Sequence, residues 1–161
     1  MSENSVIIST VLTVAHTDMF EAGRQVLLKL AECPGHEVLA AQFSFITPVI
    51  SVITNRETPA HRNTQSSHFP WFDCLATFGG DADTTLGLPT FGMVFQYLSG
   101  SMSLFCGSST LHMVSATKKN RVCIAGYMRR NVLCCISVVF PGWSSLSQLL
   151  PEGYCSWYGE R

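Results

Sequence analysis

Five histidines occur, at positions 16, 36, 61, 68 and 112, and two of them stand where they could act. His61 follows a β-rich run and a Thr-Pro turn, and His112 opens another such run. Two neutral imidazoles brought to one mouth by strand ends would bind a divalent transition metal such as iron, zinc or copper. Iron sites of this kind usually add a carboxylate two residues after the first histidine. Here that position is Asn63, a neutral and much weaker donor. By spacing alone, surface polar residues would also produce His61-Arg62-Asn63, and His112 reads equally as a hydrogen-bonded histidine at a strand end.

Charge is placed unevenly around these residues. Residues 1–83 hold nine acids and four bases, whereas residues 84–151 hold five bases and no acid. Those five, Lys118, Lys119, Arg121, Arg129 and Arg130, fall within thirteen residues, enough for a local positive patch facing an anionic ligand or a phosphate backbone. The plainer reading is a Lys-Lys-Asn turn followed by solvated arginines.

The elements that must position these side chains read mostly as β. The chain has 161 residues, 47% apolar and 13% charged, which points to one domain over 1–161 with a sizeable core and argues against disorder. Asp18 and Glu21 resemble a capping box ahead of an apolar face formed by Phe20, Val26, Leu27 and Leu30, so residues 18–32 are expected as helix. Short runs at 38–45, 48–54, 72–78, 92–98, 101–106, 110–115, 121–128 and 131–139 read as eight strands, and 1–16 as one more. Such spacing predicts a barrel or a two-sheet jelly roll with the N-terminal helix packed on it. Trp71, Phe72, Phe91, Phe95 and Tyr97 are expected in the core, and Cys134-Cys135 on opposite faces of a strand. Seven cysteines with no CxxC pair and no N-terminal signal pattern suggest reduced thiols in an intracellular protein. The stretch Val132–Pro151 approaches membrane-span length, but Pro141-Gly142 divides it and its apolar half is strand-sized, so no membrane association is expected.

Read together, several words resemble the TET/JBP-like dioxygenases expanded in mushroom-forming fungi. They are Ser51-Val-Ile-Thr-Asn-Arg-Glu-Thr-Pro-Ala-His-Arg-Asn63, Trp71-Phe-Asp-Cys-Leu75, Leu88-Pro-Thr-Phe-Gly92, Tyr97-Leu-Ser-Gly100, Gly107-Ser-Ser-Thr-Leu-His112 and Arg121-Val-Cys-Ile-Ala-Gly-Tyr-Met-Arg-Arg-Asn-Val132. They run in order over about 49–132. The resemblance implies a double-stranded β-helix core over 49–132 that uses Fe(II), 2-oxoglutarate and oxygen to hydroxylate a methylated base flipped out of DNA, in the nucleus. It further implies His61 and His112 as metal ligands, with Asn63 where the family has its metal aspartate. Arg121 matches the clamp on the distal carboxylate of 2-oxoglutarate, Arg56 a cosubstrate or substrate position, and Asp73 a structural or supporting one. A guanidinium suits the clamp because it offers a permanent charge and a two-pronged donor.

Two departures stand against full activity. Asn63 removes a negative charge from the metal shell; Asp73, Asp81 and Asp83 are candidate replacements, though the family pattern places none of them. Residues 133–161 also diverge from the family's continuation. The competing expectations are an Fe(II)/2-oxoglutarate dioxygenase, a catalytically inactive relative binding a ligand or nucleic acid through Arg56, Arg62, Arg129 and Arg130, and a cupin-like metal- or sugar-binding jelly roll.

Overall fold

A computed structural model describes residues 2–43, 45–64 and 71–143; His68, Cys155 and most of the divergent tail, 144–161, lie outside them. Three helices precede the sheets: α1 (Ser2–Ala15), α2 (Thr17–Glu32) and α3 (Glu37–Gln42). The strand expected over 1–16 is therefore a helix. Ser5, Ile8, Leu12 and His16 recur every three or four residues and are all buried, a helical period that overrides the β-branched composition. α2 covers the expected span, but its cap is His16, whose Nδ1 accepts from the Met19 N–H at 3.3 Å, and Glu21 instead pairs with Arg24. The expected strands at 38–45 and 131–139 are also replaced by helices, α3 and α4 (Arg130–Cys135). Cys134 and Cys135 are accordingly helical and exposed.

Eight strands form two antiparallel four-stranded sheets. They are β1 (Val49–Thr54), β2 (Thr58–His61), β3 (Asp73–Gly79), β4 (Thr85–Leu88), β5 (Met93–Gln96), β6 (Met102–Phe105), β7 (His112–Val114) and β8 (Arg121–Tyr127). One sheet has the order β1-β8-β3-β6 and the other β2-β7-β4-β5. β2 and β4 were not expected. Proline inside a strand is tolerated at a sheet edge, and Pro59 lies in β2, which is an edge. β4 carries Gly87, where a Cβ would come within 2.8 Å of Met113 Cγ on the neighbouring strand.

Alternation along the strands divides the core in two. Cys74 and Ala76 on β3 face the helices and join Ile8, Leu12, Met19, Val26 and Trp71 in the larger cluster. Leu133 and Val138, beyond the expected β core, complete that layer. The Lys29 amine donates to the Ile136 and Ser137 carbonyls at 3.1 and 2.7 Å, satisfying backbone acceptors where α4 ends. A smaller cluster, Leu86, Leu88, Tyr97 and Phe105, lies between the sheets. Phe91 and Phe95 are exposed, contrary to the core expectation, while Trp71 and Tyr97 meet it. Among the described residues no helix is long and apolar enough to cross a membrane.

Candidate functional site

His61 and His112 are direct partners across the β2–β7 ladder, with ring centroids 4.2 Å apart. Thr58 pairs with Val114 and His61 with His112, so β2 spends three steps where β7 spends two. This bulge absorbs one residue and lets Thr58 and His61, which strict alternation would send to opposite faces, line the same cavity. Each ring is oriented by a carbonyl two residues upstream. His61 Nδ1 lies 2.9 Å from the Pro59 oxygen, and His112 Nδ1 lies 2.9 Å from the Thr110 oxygen. A carbonyl only accepts, so each Nδ1 carries a proton, which in a neutral ring leaves the lone pair on Nε2. Burial, with His61 beside it, lowers the His112 pKa and favours the neutral, ligating form.

The histidines share a small enclosed cavity of about 50 Å³ between the sheets with Asn63, Tyr97, Arg121 and Cys123. Arg121 opens β8 and is 2% exposed. Its Nη2 donates to the Arg56 carbonyl at 2.8 Å, its Nε has no partner, and its guanidinium carbon lies 5.8 Å from the Tyr97 ring centre. Among the described residues no carboxylate forms an ion pair with it. Arg56 itself is exposed and supports the site through its backbone rather than its side chain.

Asn63 donates from Nδ2 to Asp73 Oδ2 at 2.7 Å, and its N–H donates to the Gly107 carbonyl at 2.8 Å. Asp73 is 1% exposed. Burial raises its pKa to about 6 against the opposing pull of Asn63, Arg129 and His61. The other candidate acids serve elsewhere. Asp81 accepts from Thr84 in its own loop and from Thr117 and the Lys118 N–H in the loop before β8, and exposed Asp83 meets Lys118. The run of bases does not form a single face: Arg121 is buried, Lys118 is paired, and Arg130 stacks over Phe140 at 5.5 Å.

The structure thus gathers His61, Asn63, His112 and Arg121 around one cavity. Sequence reasoning did not single out Asn55, whose Oδ1 accepts from the Arg121 N–H at 2.6 Å, or Tyr97 as a cavity residue. The Thr54-Asn55-Arg56 word was the available signal for Asn55. No protein-family model matches the chain, and no curated protein sequence matches it.

Proposed function

We propose that the chain is an Fe(II)/2-oxoglutarate-dependent dioxygenase-like protein of TET/JBP type, carrying Asn63 in place of the metal carboxylate. The observation behind this reading is a conjunction in one cavity: two histidines whose Nδ1 atoms are turned to backbone carbonyls, and a buried arginine that forms no ion pair with a carboxylate among the described residues. A buried cation is costly until an anion meets it, and a guanidinium is shaped for a carboxylate. Strand pairing supports a jelly roll, because β1–β8, β2–β7, β3–β6 and β4–β5 form one long antiparallel ribbon folded over itself.

The residues present fit the metal and its cosubstrate in donor type. His61 and His112 would hold the ion, Asn63 would be a neutral third donor, and Arg121 would bind the far carboxylate of 2-oxoglutarate. Bound iron with its cosubstrate would supply the oxidising power to hydroxylate a methyl group. Arg121 neutralises and orients the carboxylate, Tyr97 packs beside the guanidinium, and the apolar walls Ile53, Leu75 and Leu86 exclude water. A methylated base in DNA is the proposed substrate class and the nucleus the proposed location, both on the resemblance alone.

A catalytically inactive relative is the second reading, and Asn63 favours it. Among the described residues no three His, Cys, Asp or Glu side chains gather as a metal site. Anaerobic titration with Fe(II) and 2-oxoglutarate separates the two readings through the visible charge-transfer band between metal and cosubstrate. A band in the unaltered protein supports the oxygenase. A band only in Asn63→Asp supports the inactive relative. Silence in both overturns the assignment of His61, His112 and Arg121.

A further inference from the structure

We infer that the free edge of β5 is a self-association site: β5 pairs antiparallel with β5 of a second copy of this chain, Phe95 opposite Phe95, to form a closed dimer.

Backbone direction identifies the groups that would pair. The Tyr97 N–H donates to the Thr84 carbonyl at 2.8 Å, and the ladder continues with Leu86 opposite Phe95 and Leu88 opposite Met93. Antiparallel pairs alternate between bonded and non-bonded, so Phe95 and Met93 turn their backbone groups to β4, and Val94 and Gln96 turn theirs away. Thr85 agrees, because its N–H and its carbonyl are both taken by Ser115 on the β7 side. β5 ends its sheet, so the outward groups of Val94 and Gln96 meet no strand among the described residues. Pairing about a two-fold axis at Phe95 sets Val94 against Gln96 of the other copy, and the two such pairs satisfy every one of these groups.

The side chains favour the same contact. Phe91, Met93, Val94, Phe95 and Leu98 are between 45% and 71% exposed. Phe95 borders an open groove of about 340 Å³ between β5 and β6, walled by Leu86, Leu88, Tyr97 and Phe105. At roughly 200 Å² for a fully exposed aromatic side chain and less for an aliphatic one, the five offer about 500 Å² per copy and about 1,000 Å² for the pair, enough for a specific interface.

Charge selects a second copy as the occupant. A two-fold axis sets like residues beside one another, so a charged edge repels its own image. Residues 84–117, which hold β4 to β7, contain no Asp, Glu, Lys or Arg. The usual guards of an edge, a lysine, a proline or a bulge, are also missing from β5. The opposite edge of the sheet, β2, does carry Pro59, and the symmetric contact uses both β5 edges, so the sheet stops at two copies.

The test is sedimentation equilibrium of the full chain, with disulfide trapping beside it. The unaltered protein is expected to form dimers. Val94→Pro removes an outward N–H without touching the β4 ladder, and Phe95→Lys sets two ammonium groups against each other. Every change occurs twice in the dimer, so each variant should raise its Kd by about tenfold or more. Phe95→Cys should give a disulfide-linked dimer on mild oxidation, because opposed residues of a non-bonded pair stand about 4.5 Å apart at Cα. Val94→Cys should trap no more than the unaltered chain, since its two copies lie about 7–8 Å apart on the diagonal. If Val94→Pro or Phe95→Lys fails to fold, the trapping decides the matter.

A monomer at every concentration measured overturns the inference and leaves the edge to a strand of another protein. A dimer indifferent to both Val94→Pro and Phe95→Lys overturns it as well, because another surface then joins the copies. Trapping through Val94→Cys rather than Phe95→Cys overturns the register, and assemblies larger than a dimer overturn the closure.

Discussion

Asn55 brackets the backbone of Arg121, accepting its N–H on Oδ1 at 2.6 Å and donating to its carbonyl at 2.9 Å. Asn55 itself has φ 49°, a left-handed conformation that asparagine tolerates better than most residues. Asn55→Ala loses both the side-chain acceptor and that tolerance. A destabilisation of about 1–3 kcal/mol in urea melts is expected, with weaker 2-oxoglutarate binding. Asn55→Gly keeps the backbone conformation and should recover part of the stability but little of the binding.

Arg121 gives a sharper contrast. As a ligand clamp it should lose at least about tenfold in 2-oxoglutarate affinity as Arg121→Lys, because an ammonium cannot reproduce the two-pronged grip. In Arg121→Met a buried charge with no acidic partner among the described residues disappears, so the melting temperature of the ligand-free protein should hold or rise. A fall of many degrees would instead identify Arg121 as part of the scaffold.

Gly107→Ala forces a methyl group into the Asp73 carboxylate. Overpacking of this kind costs about 1–3 kcal/mol. A lower midpoint in thermal melts of Gly107→Ala checks this; an unchanged midpoint would show that the carboxylate moves aside freely.

Asp81 governs the acid response of the loop before β8. Its pKa is lowered chiefly by the Lys118 N–H, with Thr84, Thr117 and the Asp83 N–H adding to the effect. A carboxylate with a depressed folded pKa contributes stability above its unfolded pKa of about 3.9 and loses it as pH falls through the lower folded value. Asp81→Asn should therefore melt below the unaltered protein at pH 7, with the gap closing on acidification below about pH 4. A gap that stays constant across that range would show that the charge of Asp81 contributes nothing.

The two-sheet β class was legible because it needs only recurrent apolar runs between turn residues, but which runs become strands was decided by context. Nine strands were expected and eight form among the described residues: 1–16, 38–45 and 131–139 turn helical, while Thr58–His61 and Thr85–Leu88 are added. Short apolar runs carry no decisive period, and the helix formers Leu39, Ala40 and Ala41 outweigh the β reading. Pro59 and Gly87 disguise strands that the sheet edge and a close strand approach permit. His61, Asn63, His112 and Arg121 were readable as words in register. The support from Asn55, Tyr97 and Gly107 was not, because each acts across tens of residues of chain and only folding brings them together.

The burial of Leu133 and Val138 against α1 and α2, with Lys29 holding the end of α4, separates the stretch that bears the motifs from the stretch that can stand alone. An excised 49–132 fragment would carry every proposed ligand and still leave the outer face of β3 bare, with Cys74, Ala76 and Trp71 wetted. Such a fragment should aggregate rather than bind metal, so the smallest autonomous piece of this protein reaches from α1 to at least Pro141, whose carbonyl receives the Trp71 indole N–H at 3.0 Å.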